Sequence, residues 1–320
     1  MPLSQWLDIW LEEYTGSIKP GTLKTYADNV RLHIKPSIGM IRLCELQPHD
    51  CQTFINRLGR PRKGKKPLSA KTIKNIHGTL CKALAEAVRV KYMAANPANG
   101  AILPKVVREE IHPLEGEQIT QFLQNIIGNP SEALFYVALH TGMRISELLG
   151  LRWSRVNFQK STIKVDTQML VKRGKDTERS LGWPKNDKTR TFKAPQSVMQ
   201  MLKRVQLEQK ENRLKAGGLW SNALDLVFTN EQGAGVPHST VEHRYKKIVL
   251  GMGLDRRFHD LRHTFATESI HCGVDLKTLS EMLGHYSVAF TMDTYGHVTT
   301  AMQDDAAARL ELAILERKTG

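Results

Sequence analysis

The sequence has no long hydrophobic stretch and few cysteines. It contains no run of about 18 apolar residues, so no segment is predicted to cross a membrane. Its first residues, MPLSQWLDIWLEEY, lack the basic start of a signal peptide. The four cysteines are Cys44, Cys51, Cys81 and Cys272. They form no CxxC pair, which excludes a zinc knuckle and a redox motif, and their scatter predicts reduced thiols. Without a membrane segment or signal peptide, the chain is expected to stay in the cytoplasm.

Acidic residues are also scarce relative to basic ones. The 320 residues include 46 lysines and arginines against 32 aspartates and glutamates, a formal net charge of +14. A basic surface favours a polyanionic partner, because lysine and arginine contacts to phosphates release condensed counterions. The charge balance therefore favours a nucleic-acid partner, with a soluble protein that is merely basic as the alternative.

Residues 1–101 are predicted to form a four-helix domain. Apolar residues recur at helical spacing in the first helix. Thr22 is predicted to cap a second helix over about residues 23–34, which Pro36 and Gly39 end. The remaining helices are predicted over about residues 48–58 and, with Ser69 as N-cap, through about Tyr92.

Residues 102–113 are predicted to be an extended linker, because apolar periodicity fades there between two prolines. The second domain, residues 114–320, begins with helices that include residues 132–140 and 145–149. Short alternating segments then predict a small antiparallel sheet with a long hairpin. These segments are residues 162–166, 168–171 and 191–194. Helices dominate again from Gln196, so the predicted fold class is mainly α with a small antiparallel sheet.

The second domain contains polar groups at chemically useful spacing. In TGMRISE, residues 141–147, Gly142 ends one helix and the next begins near Ile145. Arg144 therefore lies at a helix N-terminus beside free N–H groups, which is a natural anion site. Glu147, one turn further, can hold those N–H groups or the arginine. Alone, such an arginine is more often a surface residue.

Two further segments add imidazole, guanidinium and phenol groups. In FHDLRHTF, residues 258–265, His259 and Arg262 share one helix face, and together they suit a phosphate with two non-bridging oxygens. The segment LGH ends at His285, and Tyr295 follows ten residues later. A tyrosine with a pKa of about 10 is a poor nucleophile unless cations lower the cost of the phenolate. Two arginines and two histidines are expected to do so.

A zinc site is an alternative for the second of these segments. His259 and His263 are spaced like the histidines of HExxH. The position of the required glutamate is occupied by Asp260, and no obvious third ligand follows. A zinc protease is therefore disfavoured, and His263 is predicted to be a packed or hydrogen-bonded helix histidine.

The ordered set of these residues resembles the signature of the tyrosine recombinases, the lambda-integrase family. The set comprises Arg144, His259, Arg262, His285 and Tyr295. The strings TGMRISELLGLRW, FHDLRHTFAT, LGH and TYGHV resemble the catalytic boxes of the family. GTLKTYADNVRLHIKPSIG and LSAKTIKNIHGTLCKALAEAV resemble its helical core-DNA-binding domain, so the resemblance covers nearly the whole chain. It is closest in character to integrases of temperate phages and conjugative transposons.

The resemblance implies a site-specific recombinase that exchanges DNA strands through a 3′-phosphotyrosyl bond and a Holliday junction, without metal, ATP or other cofactor. Arg144 and Arg262 would clamp the phosphate oxygens, and His285 would add a hydrogen bond. Tyr295 would be the nucleophile, and His259 would accept or position its proton. The alternatives are a type IB topoisomerase, which uses similar chemistry, and a non-catalytic DNA-binding protein.

The family also places a catalytic lysine in the hairpin between two short strands. Lys185 matches this position best and would protonate the departing 5′-oxygen. Asn186 stands where relatives often have threonine, so Lys188 remains the alternative. By the same resemblance, Glu147 would orient the first arginine segment without taking part in the chemistry.

Two domains joined by a linker could form a clamp around double-stranded DNA, as relatives do. The expected DNA-binding residues are Lys19, Lys24, Arg31, Arg60, Arg62, Lys63, Lys65, Lys66, Lys71 and Lys74. The loop over residues 60–66 contains five of these positive charges. Phosphate binding and simple solvation are equal alternatives for it.

The resemblance further implies a homotetramer on two core sites, a monomer or dimer in isolation, and accessory DNA-bending and excision factors. Residues 304–317 are predicted to form a helix with an apolar stripe. Packing on its own domain is the default from the residues, whereas relatives pass this helix to a neighbouring subunit. Many relatives carry an additional N-terminal arm-binding domain; whether this sequence is shortened or from a simpler relative stays open. The expected location is the bacterial cytoplasm, at the nucleoid when the protein is on DNA.

Overall fold

A computed structural model of the chain describes residues 1–61, 67–107, 111–171, 179–183 and 189–295. The chain divides into two compact units, Met1–Glu109 and Glu110–Gly320. The division falls inside the predicted linker, residues 102–113. Among the described residues, no helix is long and apolar enough to cross a membrane.

The N-terminal unit is helical. Its α-helices are α1 (Leu3–Glu13), α2 (Pro20–Asn29), α3 (Lys35–Ile38), α4 (Pro48–Leu58) and α5 (Ala70–Arg89). Trp6 of α1 is fully buried, and its indole N–H donates to the carbonyl oxygen of Ala83 in α5 at 2.9 Å. Because a buried indole N–H requires an acceptor, this bond fixes α1 against α5.

The second helix differs from its predicted limits. It begins at Pro20, because proline at the first helical position needs no acceptor for an N–H, so Thr22 lies inside the first turn. A π-helical turn, Val30–Ile34, follows α2, and the N–H of Lys35 donates to a carbonyl five residues earlier. This shift in register lets Pro36, which has no N–H, lie in the first turn of α3 instead of ending the helix.

The other two predicted helices of this unit are confirmed. Helix α4 has the predicted limits. Ser69 caps α5, since its hydroxyl oxygen accepts a hydrogen bond from the N–H of Thr72 at 3.2 Å. Helix α5 ends at Arg89, before the predicted Tyr92, because the backbone leaves the helical conformation and Lys91 has a φ of 64°.

The C-terminal unit contains the predicted antiparallel pairing. Strands β1 (Val156–Asn157), β2 (Thr162–Val165) and β5 (Arg190–Lys193) form one sheet in the order β1–β2–β5. Strands β3 (Gln168–Val171) and β4 (Arg179–Gly182) form a hairpin. The predicted fold class, mainly α with a small antiparallel sheet, is confirmed. Strand β5 begins at Arg190, one residue earlier than predicted.

Helices make up most of the rest of this unit. They are α6 (Gly116–Asn125), α7 (Glu132–Thr141), α8 (Ile145–Leu149), α9 (Gln196–Ala216), α10 (His238–Gly251), α11 (Asp260–His271), α12 (Leu276–Leu283) and α13 (Val288–Tyr295). Helix α7 ends at Gly142, whose φ is 60°. A Cβ atom there would lie 2.5 Å from a ring carbon of Phe265 in α11. The end of α7 can therefore approach α11 closely because residue 142 is glycine.

Candidate active site

Arg144 lies at the N-cap of α8, at the predicted helix start. Its backbone N–H donates to Oε2 of Glu147 at 2.9 Å, and its Nη1 donates to Oε1 of Glu147 at 2.8 Å. Its Nη2 donates to the carbonyl oxygen of Gly284 at 3.4 Å. These contacts orient the guanidinium, while the side chain stays 23% exposed and can reach an anion that arrives from solvent.

Glu147 is shared by two arginines. Arg190, at the start of β5, donates to Oε2 of Glu147 from Nη2 at 2.7 Å and to Oε1 from Nη1 at 3.1 Å. Nε of Arg190 donates to the carbonyl oxygen of Met282 at 2.7 Å. Burial acts to raise the pKa of Glu147, but hydrogen bonds and charge from Arg190 and Arg144 prevail and lower it to about 2. Glu147 is therefore a buried anion that orients both guanidiniums.

Arg262 is buried in α11 and connects separate segments. Its Nη1 donates to the carbonyl oxygen of Gly142 and its Nη2 to that of Leu283, both at 2.7 Å. Burial, reinforced by the charge of Arg144, lowers the pKa of Arg262 to about 9. The guanidinium is still protonated at neutral pH, and it joins the ends of α7 and α12 to α11.

The two predicted histidines, His259 and His285, both have lowered pKa values. Nδ1 of His285 lies 2.7 Å from the hydroxyl oxygen of Thr291. Burial, with the charge of nearby arginines, lowers the pKa of His285 to about 3. Burial and the neighbouring His263 lower the pKa of His259 to about 4. Both imidazoles are therefore neutral in the protein without DNA, and a bound phosphate would raise both pKa values.

Tyr295 ends α13 and reaches the same region. Its ring lies parallel to that of His285, with the ring centroids 6.4 Å apart. Its hydroxyl oxygen lies 2.6 Å from Nδ1 of His263. Burial raises the pKa of Tyr295 to about 12, although the nearby arginines act to lower it. The phenol is therefore protonated at neutral pH, and its attack on an electrophile requires a proton acceptor.

The structure brings six of the predicted site residues together. With Arg190 and His263 they form a group that we call the polar cluster. Its members are Arg144, Glu147, Arg190, His259, Arg262, His263, His285 and Tyr295. The predicted lysine, Lys185 or the alternative Lys188, lies outside the described residues. In the part of the chain that is described, no three side chains are grouped as metal ligands, and His263 is hydrogen-bonded, as predicted.

The predicted DNA-binding residues divide into two sets. Six are described and exposed on the N-terminal unit, namely Lys19, Lys24, Arg31, Arg60, Lys71 and Lys74. The other four, Arg62, Lys63, Lys65 and Lys66, lie outside the described residues. Arg31 is paired with Asp28 at 3.0 Å. The exposure of these side chains permits contact with phosphates.

Glu147→Gln is expected to destabilise the protein by about 3–5 kcal/mol, because it leaves the buried guanidinium of Arg190 without an anion. The free energy of unfolding in urea measures this effect. The carboxylate contributes fully above its ordinary pKa of 4.5, and the contribution is lost as the pH falls toward the folded-state pKa of about 2. The gap between variant and wild type should therefore narrow in acid.

The matched control for this prediction is Glu208→Gln. Glu208 is an exposed glutamate in the same unit, paired with Arg204. Its loss is expected to change the free energy of unfolding by no more than about 0.5 kcal/mol. Equal losses of unfolding free energy from the two substitutions would contradict a stabilising role for the buried carboxylate of Glu147.

The polar cluster indicates a chemical class. Two oriented guanidiniums match the non-bridging oxygens of a phosphodiester, and a tyrosine hydroxyl beside them is a potential nucleophile toward phosphorus. Together with the basic net charge, the arrangement is typical of enzymes that transfer DNA strands through a tyrosine.

Comparisons with known proteins agree with this class. Residues 110–302 match the phage integrase family, and residues 3–59 match the N-terminal SAM-like domain of phage integrases. A "Tyrosine recombinase XerC-like" protein of Caldanaerobacter subterraneus subsp. tengcongensis is 33% identical, over 96% of this chain and 82% of that protein. The integrase of Staphylococcus phage L54a is 26% identical, over 95% of this chain and 91% of that protein.

The chain therefore belongs to the phage integrase family, the lambda-integrase type of tyrosine recombinases, and is a site-specific DNA recombinase. The prediction from the motifs is confirmed. The topoisomerase and the non-catalytic DNA-binding protein receive no support.

Solved structures share the fold. The Tn1549 transposon integrase in complex with transposon right end DNA has a TM-score of 0.80 at 22% identity, over 97% of this chain and 100% of that chain. A lambda integrase dimer bound to a COC′ core site has a TM-score of 0.66 at 17% identity, over 91% of this chain and 97% of that chain. At these identities, the likeness concerns architecture.

Proposed function

We propose that this recombinase cleaves and rejoins double-stranded DNA at core sites through a 3′-phosphotyrosyl bond to Tyr295. The observation that carries the proposal is the convergence of a tyrosine hydroxyl, two guanidiniums and a buried imidazole in the polar cluster. These groups come from separate segments of the chain, and their convergence in one folded unit supports binding of a single phosphate among them.

In this proposal, each group acts on the phosphorus or on a proton. Arg144 and Arg262 bind the equatorial oxygens, whose negative charge grows as phosphorus becomes five-coordinate. His285, whose Nδ1 pairs with a threonine hydroxyl, would donate from Nε2 to the same oxygens. Tyr295 attacks in line and displaces a 5′-hydroxyl. Lys185, by resemblance, protonates that departing oxygen.

The remaining assigned residues act in support. Glu147 orients Arg144 through two hydrogen bonds. His259, by resemblance, accepts or positions the proton of Tyr295. One phosphodiester is exchanged for a bond of similar energy, so the reaction requires no ATP. The guanidiniums supply the positive charge that a metal ion supplies in other phosphoryl-transfer enzymes.

The N-terminal unit is proposed to be the core-DNA-binding domain, residues 1–101, joined through residues 102–113 to the catalytic domain. Its exposed lysines, among them Lys71 and Lys74 one turn apart on α5, are proposed to contact phosphates. Relatives that are phage integrases support an origin in a mobile genetic element, and so a role on the bacterial nucleoid.

Recombination is proposed to proceed in a tetramer on two core sites, through a Holliday junction. Residues 304–317, which lie outside the described residues, are the proposed exchange helix between subunits.

Deleting residues 304–320 is expected to impair synapsis and recombination more than binding to one core site. Gel-shift affinity for a single site, compared with product formation from two sites, measures the difference; unchanged recombination would reject the exchange helix.

Strand mapping tests the cleavage chemistry. A duplex selected for binding by the protein is nicked just downstream of the scissile phosphate, so that the short 5′-hydroxyl fragment is lost and the cut becomes irreversible. In EDTA, a label upstream of the scissile phosphate should become protein-bound, whereas a label on the released fragment should not. Attachment of the downstream strand, or no attachment at all, would contradict the proposal.

A further inference from the structure

We propose that His263 is the catalytic base of this recombinase and accepts the hydroxyl proton of Tyr295 as the tyrosine attacks. The inference deepens the proposed function and rests on it. Nδ1 of His263 lies 2.6 Å from the phenol oxygen, a distance typical of a strong hydrogen bond between a hydroxyl group and a nitrogen. No other group in the polar cluster has a described hydrogen bond to this oxygen.

The surroundings of His263 suit a proton acceptor. Burial lowers the pKa of His263, so the imidazole is neutral at neutral pH and one ring nitrogen carries a free lone pair. When that nitrogen is Nδ1, the phenol O–H donates to it. His259, at the start of α11, presents its ring edge-on at 5.0 Å between centroids and has no described hydrogen bond to the phenol oxygen.

Charged neighbours decide whether the protonated form can exist. Asp260 raises the pKa of His263, whereas Arg262 and Arg257 lower it. Asp260 is buried, and its Oδ1, which accepts no hydrogen bond in the described structure, lies 3.5 Å from Nη2 of Arg257. Its negative charge would therefore stabilise an imidazolium at His263 while the phosphate charge is spread over the arginines.

The proton balance is complete in both directions. On cleavage, the phenol O–H bond breaks and Nδ1 of His263 takes the proton. The oxygen lone pair forms the bond to phosphorus, and the bond from phosphorus to the 5′-oxygen breaks. That oxygen is protonated by the general acid, assigned above to Lys185. On rejoining, the imidazolium returns its proton to the departing phenol oxygen, so His263 serves as base and then as acid.

The first test compares the cleavage rates of two His263 variants with that of a control variant. His263→Ala is expected to slow single-turnover formation of the covalent complex by about 10²–10⁴-fold. His263→Gln, which can hold the tyrosine by a hydrogen bond but cannot take up its proton, should be equally slow. His271→Ala, which alters an exposed histidine on the same helix, should react like wild type. Thermal unfolding and DNA affinity establish that each variant is folded.

Chemical rescue separates a base from a structural residue. Fluorotyrosine at position 295 is more acidic, so it should restore much of the rate of His263→Ala but little of the rate of Arg144→Ala. A substrate with sulfur in place of the bridging 5′-oxygen should rescue Lys185→Ala but not His263→Ala, because a thiolate leaves without protonation. His263→Ala should also regain rate as the pH rises from neutrality toward 9, because the phenolate fraction of Tyr295 grows while Arg262, with a pKa of about 9, still carries its charge.

Two results would overturn the inference. One is a rate for His263→Gln close to that of wild type, since His263 would then only position the tyrosine. The other is a defect in His263→Ala that does not depend on the acidity of the phenol. If the wild-type protein itself forms no adduct, the proposed function fails instead, and the two failures are distinguishable.

Discussion

Tyr295→Phe is expected to form no covalent complex with a nicked core site under conditions in which wild type accumulates it. The substitution removes one oxygen and keeps the ring, which stacks parallel to His285. No other residue in the cluster offers a hydroxyl beside the two guanidiniums, so the loss should be complete and not merely large. Denaturing gels of a labelled upstream strand measure the adduct, and DNA affinity should remain close to that of wild type.

Tyr286→Phe is the matched control for this result. Tyr286 lies in the segment between α12 and α13, and its side chain is 79% exposed. Removing its hydroxyl should leave the adduct yield unchanged. If the Tyr295→Phe protein still becomes attached to DNA, the nucleophile is a different residue and the proposed mechanism is wrong.

Arg144→Ala is expected to slow cleavage by about 10²–10³-fold while DNA affinity changes little. The guanidinium interacts most strongly when charge develops on the phosphate oxygens, so its loss raises the barrier more than it weakens binding. Burst rates at saturating DNA measure the barrier, and gel-shift titration measures affinity separately. Loss of affinity and rate by equal factors would assign Arg144 to ground-state binding.

Two variants sharpen this comparison. Arg144→Lys keeps a positive charge but loses the planar fork that donates to Glu147, so an intermediate rate is expected. Arg204→Ala removes an arginine of the same unit that pairs with Glu132 and Glu208, outside the polar cluster. Its cleavage rate should match that of wild type.

Local signals in the sequence predicted most of the fold. Helix α4 and the cap of α5 were predicted correctly, because a proline at a first turn and a serine N-cap act on neighbouring backbone groups. The second helix was misjudged because Pro36 is normally a helix breaker. The π-helical turn before it depends on how Val30 and Ile34 pack into the core, and packing between distant segments has no local signal.

Motif order predicted six members of the polar cluster, and the contact of Glu147 with Arg144 was among the predicted ones. The contacts made by Arg190 and by His263 with Tyr295 were not predicted. Arg190 belongs to none of the motifs singled out in the sequence, and its role follows from burial against Glu147, 43 residues away in sequence. His263 was predicted to be hydrogen-bonded, but its partner, Tyr295, is 32 residues away. Contacts of this kind are set by tertiary packing. An arginine that begins a strand beside motif residues is the signal that could have drawn attention to Arg190.

Burial of the ion pair between Glu147 and Arg190 has a practical consequence for kinetics. Dissolved salt screens charges that are exposed to water far more than charges that are enclosed. The exposed lysines of the N-terminal unit should therefore lose affinity for DNA steeply as ionic strength rises. The enclosed ion pair should hold the reacting groups in the same positions over the same range of ionic strength. Added salt would therefore lower the fraction of DNA that is bound without altering the rate of strand transfer on the bound DNA.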